Sequence, residues 1–216
     1  MRQEAEQKRA DRVLEERNSA FRILYDTVIE ITSAADDQVF VILCRNLRRI
    51  ANAACAALAS YDAALRTLTL EAVAFERRDS NLFPVERPGG TVSLPEDVLD
   101  SLMQGHIGLC RDRAAGFPVL FPEVSRADDG CADTAECYTL SCVRGGELVA
   151  AGLIRLHPNQ KLKMKDMIDT YLSLAGIIIQ RVESVSALRT SEEKLAGILR
   201  SVTDPVSYTH LTLPTN

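Results

Sequence analysis

The sequence predicts an α+β fold: one antiparallel sheet, covered by terminal helices on one face and by an irregular loop-helix segment on the other. Three observations predict it. Two apolar runs, Cys137 to Val143 and Leu148 to Leu156, flank Arg144-Gly145-Gly146-Glu147, a two-glycine hairpin turn. A second pair of strand-like runs, Ala53 to Tyr61 and Leu65 to Phe75, is separated by Asp62, Ala63 and Ala64. Amphipathic helical patterns stand at both ends, and antiparallel strands with helices gathered at the ends of the chain make a sheet with helical cover.

From Met1 to about Ala34 the charges alternate in sign, and Leu14, Phe21, Leu24, Val28 and Ile31 fall on heptad positions a and d. So narrow a stripe suits either a helix packed on its own domain or a parallel two-stranded coiled coil entering from an upstream module. The charged first thirteen residues, with little apolar surface to bury, favour the second. Asp36 and Asp37 precede the periodic set Val39, Phe40, Leu43, Cys44, Leu47 and Ile50, a second helix with an acidic N-terminus. A short connection makes it an antiparallel neighbour of the first.

After the first hairpin, Arg77 to Gly90 is rich in Arg, Asp, Pro and Gly and reads as a loop. Pro95 to Gln104 reads as a short helix ending at Gly105, Gly108 to Asp112 as a brief strand, and Arg113 to Glu136 as an irregular crossover. Pairing across Gly145-Gly146 puts Tyr138, Leu140 and Cys142 on one face with Val149, Ala151 and Leu153. The other face then carries Cys137, Thr139, Ser141 and Val143 with Leu148, Ala150, Gly152 and Ile154. Both faces are largely apolar, so both need cover.

In the last helical pattern, Ile168, Leu172, Ala175, Ile179, Val182 and Val185 keep one face apolar; Leu188, Leu195 and Val202 continue with the stripe shifted by one position. Thr190 and Glu193 fit a capping box, so the helix either stops and restarts there or continues through a phase break. Residues 206–216 lose this logic and read as a cloning or sequencing scar, which sets Tyr208 and His210 aside.

At 216 residues the chain is about one and a half times a typical domain, which suits one domain with helical extensions or two small ones. Its 46% apolar and 25% charged composition is that of a soluble globular protein. A net charge of -5, a pI near 5.3 and the lack of a basic block argue against nucleic-acid binding. The longest nearly uncharged apolar run, Leu172 to Ile179, is far short of the roughly 20 residues a bilayer needs, and the N-terminus is charged rather than signal-like. The expectation is a cytoplasmic chain with no membrane span. Its six cysteines, at 44, 55, 110, 131, 137 and 142, are then reduced thiols, and no disulfide is needed for folding.

This order of elements, with the strand-turn-strand of residues 138–156 followed by a long helix, resembles a GAF domain of bacterial sensory proteins over roughly Phe21 to Glu183. The Gly145-Gly146 turn followed by Gly152 carries most of that resemblance. Residues 186–205, ending in Asp204-Pro205, resemble the linker that leads into PAS domains of sensor histidine kinases and diguanylate cyclases. The resemblance implies an N-terminal coiled-coil extension over 1–20, a sensory domain over 21–183 and a helical signalling linker over 184–205. It also implies a homodimer joined through the terminal helices and an output domain beyond this chain, which itself carries no kinase or cyclase motif.

A ligand pocket is expected between the sheet and the Pro95-to-Glu136 segment, because an irregular cover packs less densely on a sheet than a helix does. Leu102, His106, Cys110, Phe121, Cys131, Tyr138 and Leu140 are its expected lining, with a small molecule as occupant. No cofactor is specified. The cysteine spacings give no Cys-x-x-Cys knuckle, and Cys137 and Cys142 sit an odd number apart on one strand and so face opposite sides. The alternatives are a redox, haem or iron-sulfur sensor using pocket cysteines or His106, and a free methionine sulfoxide reductase of the GAF type. The non-catalytic sensory reading is preferred, since the sequence lacks the His- and Cys-containing stretch associated with that reductase group.

Overall fold

The computed structural model describes residues 2–75, 89–104, 107–110 and 135–203. The chain divides into two compact units, Met1–Gln180 and Arg181–Asn216. In the first, α1 (Arg2–Ser33) and α2 (Val39–Ala51) are joined through a 3-10 turn at Asp36–Gln38. The two helices are antiparallel: Thr27 of α1 meets Asn46 of α2, and Glu30 meets Arg45. Asn52 ends α2 in the left-handed region at φ 48°, where asparagine is tolerated, and its amide donates back to the last turn.

Six strands follow: β1 (Cys55–Asp62), β2 (Thr67–Phe75), β3 (Thr91–Ser93), β4 (Ile107–Cys110), β5 (Cys137–Arg144) and β6 (Glu147–Arg155), with α3 (Glu96–Gln104) between β3 and β4. They form one antiparallel sheet in the order β3-β2-β1-β6-β5-β4. The carboxylate of Asp62 closes the first hairpin by accepting the amides of Ala64 and Leu65. Gly145 and Gly146, at φ +61° and +84°, form the mirror-image turn that matches strand twist. Strand β3 has no counterpart in the sequence reading, since three residues are too few to show an alternation. Most of the expected 77–90 loop, the last two residues of the expected 108–112 strand and 113–134 of the expected crossover lie outside the described residues.

The second hairpin departs from the expected pairing. Arg144 faces Glu147 and Val143 faces Leu148, but Cys142 then faces Ala150, which leaves Val149 as the extra residue of a β-bulge. Beyond it Leu140 lies opposite Gly152 and Tyr138 opposite Ile154, while Ser141 and Thr139 lie opposite Ala151 and Leu153. The expected grouping of Tyr138, Leu140 and Cys142 with Ala151 and Leu153 is thus corrected: one inserted residue moves every later partner to the other face.

On one face of the sheet Cys55, Ala57, Ala59, Leu68, Leu70, Cys137, Ala151 and Leu153 form a core closed by Leu94 and Leu102. The opposite face meets the long helices. Cys44 of α2 donates its thiol to the carbonyl of Ala56, 3.2 Å away, and Cys142 lies against Gly176 of α4 (Lys165–Thr203). The helices therefore collect on one face and α3 on the other, the α+β arrangement that the sequence predicts.

Helix α4 is continuous through residue 190. Thr190 does not cap a new helix; its hydroxyl donates to the carbonyl of Ser186 one turn back. The stop-and-restart alternative is overturned, because a mid-helix threonine satisfies its hydroxyl on the preceding turn as readily as at a terminus. No helix among the described residues is long and apolar enough to cross a membrane.

Candidate functional site

Helix α3 sets the site. It begins after Pro95, whose carbonyl accepts the amide of Leu99, and it presses Leu102 with Val98, Leu99 and Met103 onto the sheet beside Cys137, Ala151 and Leu153. Leu102 is buried. Beyond α3 the register aligns one row across five strands: Phe75 opposite Cys55, Cys55 opposite Arg155, Arg155 opposite Cys137, and Cys137 opposite Cys110. Directly opposed residues share a face. The α3 face thus carries Cys55 and Cys137 with Arg155 between them in one row.

The expected lining residues do not all meet. Leu102 belongs to the α3 face, and the backbone of Cys110 pairs with Cys137 at the sheet edge. Tyr138 and Leu140 belong to the helix-covered face, and their assignment to a pocket under α3 is corrected. The alternation that puts Cys137 on the α3 face turns its neighbour away. Tyr138 instead donates its hydroxyl to Glu136 Oε2 at 2.6 Å and lies under the ammonium of Lys165, 5.9 Å from the ring centre. Burial, then the hydrogen bond and charge of Glu136, push its phenol up to about 12. Leu140 is fully buried beside Gly152. His106, Phe121 and Cys131 lie outside the described residues.

The sequence reading missed Cys55 and Arg155 as members of this face. The available signal was Arg155, a charge that closes the apolar run of residues 148–154 two residues before the half-buried His157. The other two described thiols are structural. Cys44 reaches the carbonyls of Ala56 and Ala72 at 3.2 and 3.6 Å, and burial raises its thiol far above the ordinary range. Burial pushes Cys142 up to about 12. Cys44, Cys55, Cys137 and Cys142 form no disulfide, and no three His, Cys, Asp or Glu side chains among the described residues are grouped to hold a metal.

A separate cleft of about 330 Å³ opens at the C-terminal end of α2, between Ala20, Arg49, Asn52 and Lys163. Its polar groups are engaged across it. Lys163 pairs with Glu16 at 3.5 Å, and Gln160 donates to the carbonyl of Asn52 at 3.0 Å.

No family model matches this chain, and no curated protein matches it. Solved structures do. A bacteriophytochrome from the photosynthetic bacterium R. palustris aligns with 85% of the chain at a TM-score of 0.59 and 15% identity. The chain spans 41% of that protein's length. The GAF domain of an Acinetobacter phosphoenolpyruvate-protein phosphotransferase aligns with 78% of the chain and is itself 96% covered, at 0.56 and 13% identity. The chromophore-binding domain of a Stigmatella aurantiaca bacteriophytochrome aligns with 77% of the chain, over 60% of its own length, at 0.52 and 12% identity. The chain has the GAF fold.

Proposed function

On this GAF fold, we propose that the chain is a non-catalytic sensory or regulatory module of a longer cytoplasmic signalling protein, relaying a signal through paired helices to a C-terminal output domain. The observation that carries the reading is the apolar stripe left in water on α1. Leu14, Phe21, Tyr25 and Val28 are each at least 44% exposed, and three of them recur at seven-residue spacing. A contiguous stripe of large apolar side chains on a helix marks an interaction seam. A second copy of the chain, carrying the same stripe in the same register, is its partner. Residues 181–203 of α4 separately expose Leu188, Leu195, Ile198 and Leu199, which supports helical pairing in the linker as well.

Sedimentation at micromolar concentration tests the seam. The wild-type chain is expected to sediment as a dimer and Val28→Asp as a monomer with an unchanged melting temperature, because Val28 makes little of the core. A wild-type monomer would overturn the dimer.

A small ligand over the α3 face is the second part of the reading. It is supported by the chromophore-binding domain among the structural neighbours and by the apolar cover that α3 lays over a face carrying Arg155, Cys55 and Cys137. Colour, metal content and mass spectrometry of the protein purified from cells would separate an organic ligand from haem or an iron-sulfur cluster. A colourless, metal-free chain with no co-purifying small molecule would remove the ligand from the function.

A further inference from the structure

We propose that the cleft at the C-terminal end of α2 is a second ligand site, which takes a small organic carboxylate with an apolar body. It lies on the opposite side of the sheet from α3, so the inference depends neither on a ligand there nor on the dimer. Three elements wall it: α1 through Glu16, Ala20 and Ile23, the end of α2 through Arg49 and Ile50, and the connection from β6 to α4 through Lys163 and Met164. Its volume of about 330 Å³ stands at the lower end of the roughly 300–1,000 Å³ of small-molecule sites.

The lining decides the chemistry of the ligand. Ala20, Ile23 and Ile50 are buried and supply an apolar floor. Of the charged residues at the cleft, Arg49 and Lys163 are cations and Glu16 is an anion, which leaves one positive charge in excess. The Arg49 guanidinium carries several N–H donors in a planar fork that suits a carboxylate, and its hydrogen bond to Asn46 uses one of them. Lys163 is 67% exposed and holds Glu16 at 3.5 Å, a loose pair in water that an arriving carboxylate can share. A monoanion with an apolar body matches both the floor and the excess charge.

The fold itself shapes the cleft. Asn52 and Met164, two of the four non-glycine residues at positive φ among the described ones, line it at φ 48° and 52°. A methionine rarely takes that conformation, and such backbone gathers where a binding site has to be shaped. Gln160 holds the connection against α2 through the carbonyl of Asn52. Ala20 and Ile23 stand on the buried side of α1, away from the exposed Leu14, Phe21, Tyr25 and Val28. A ligand in the cleft joins α1 to the entry of α4 without obstructing the seam, so its occupancy couples to the two helices that carry the signal.

The test titrates the full chain, labelled for NMR at its isoleucine and leucine methyls, with hexanoate at constant ionic strength. The methyls of Ile23 and Ile50 are expected to shift and saturate in the millimolar range, the affinity so small a ligand can supply, while those of Leu102 and Leu153 on the α3 face stay in place. Hexanol, with the same body and no charge, and hexylamine, with the opposite charge, should each bind about tenfold more weakly or less. Arg49→Gln and Lys163→Gln should each weaken hexanoate by about three- to tenfold. No saturating shift at Ile23 and Ile50, equal binding of hexanol, saturation at the α3 face alone, or unaltered affinity in both variants would each overturn the site. The comparison of the three probes reads the wild-type chain, so it decides the matter even if a variant fails to fold.

Discussion

The hydroxyl of Tyr171, on α4, donates a 2.8 Å hydrogen bond to the backbone carbonyl of Leu43, on α2. Both residues have no exposed surface, so the bond forms in the core over the helix-covered face. Burial raises the phenol far above its usual range, which keeps it a neutral donor.

Tyr171→Phe keeps the ring and removes only the donor. The expected cost is about 1–2 kcal/mol, the net value of a buried hydrogen bond plus part of the desolvation of the carbonyl. Urea unfolding measures it as a lower midpoint at unchanged slope.

Asn46 ties α2 to α1. It is buried, donates to Thr27 Oγ1 at 3.0 Å and accepts from the Arg49 guanidinium at 3.2 Å, while Thr27 passes its own hydrogen to the carbonyl of Ile23 at 2.6 Å. Asn46→Ala removes two hydrogen bonds and leaves a void, at an expected cost of about 2 kcal/mol. Hydrogen exchange should speed up along α1 around residues 20–30 more than in β1 or β6. Equal acceleration everywhere would count against a local tie.

Gly152→Ala should cost more than 2 kcal/mol, as overpacking against backbone does. Its new Cβ would stand 2.9 Å from the carbonyl oxygen of Ala57 and 2.7 Å from a methyl of Leu58, in the middle of the sheet. Gly108→Ala is the control. There the Cβ meets only the Thr139 hydroxyl at 2.9 Å, on the edge pair β4–β5, where a side chain can turn aside. Thermal melts should rank Gly152→Ala well below Gly108→Ala.

Alkaline conditions should destabilise the fold. Burial lifts Cys142 from 9.0 to about 12 and Tyr138 from 10.0 to about 12. Both folded values lie above the unfolded ones, so their contribution is complete below pH 9 and is lost as the pH rises through 9–12 for the thiol and 10–12 for the phenol. Each group contributes a slope of at most about 1.4 kcal/mol per pH unit in its window. Cys142→Ala should therefore flatten the fall in melting temperature that begins near pH 9 by one proton's worth, while the buried Cys44, shifted in the same direction, keeps part of it.

Read from the amino acids alone, the hairpins, α2 and the two-layer cover of the sheet were legible, because each rests on a local pattern. Gly145-Gly146 can take a turn with two positive φ angles wherever it occurs, and the apolar period of residues 39–50 makes a helix whatever it packs against. The odd spacing that sends Cys137 and Cys142 to opposite faces is equally local, since strand alternation needs no partner. Tertiary structure alone decided which face is which. The bulge at Val149 arises from how β5 and β6 bond across the sheet, and it moved Ala151 and Leu153 away from Tyr138. The choice of Cys137 rather than Tyr138 to face α3 depends on which side each helix occupies, and the row from Phe75 through Cys55 and Arg155 to Cys110 joins strands far apart in the chain. Periodicity says that a strand has two faces; only the packing of distant elements assigns one of them to a cover.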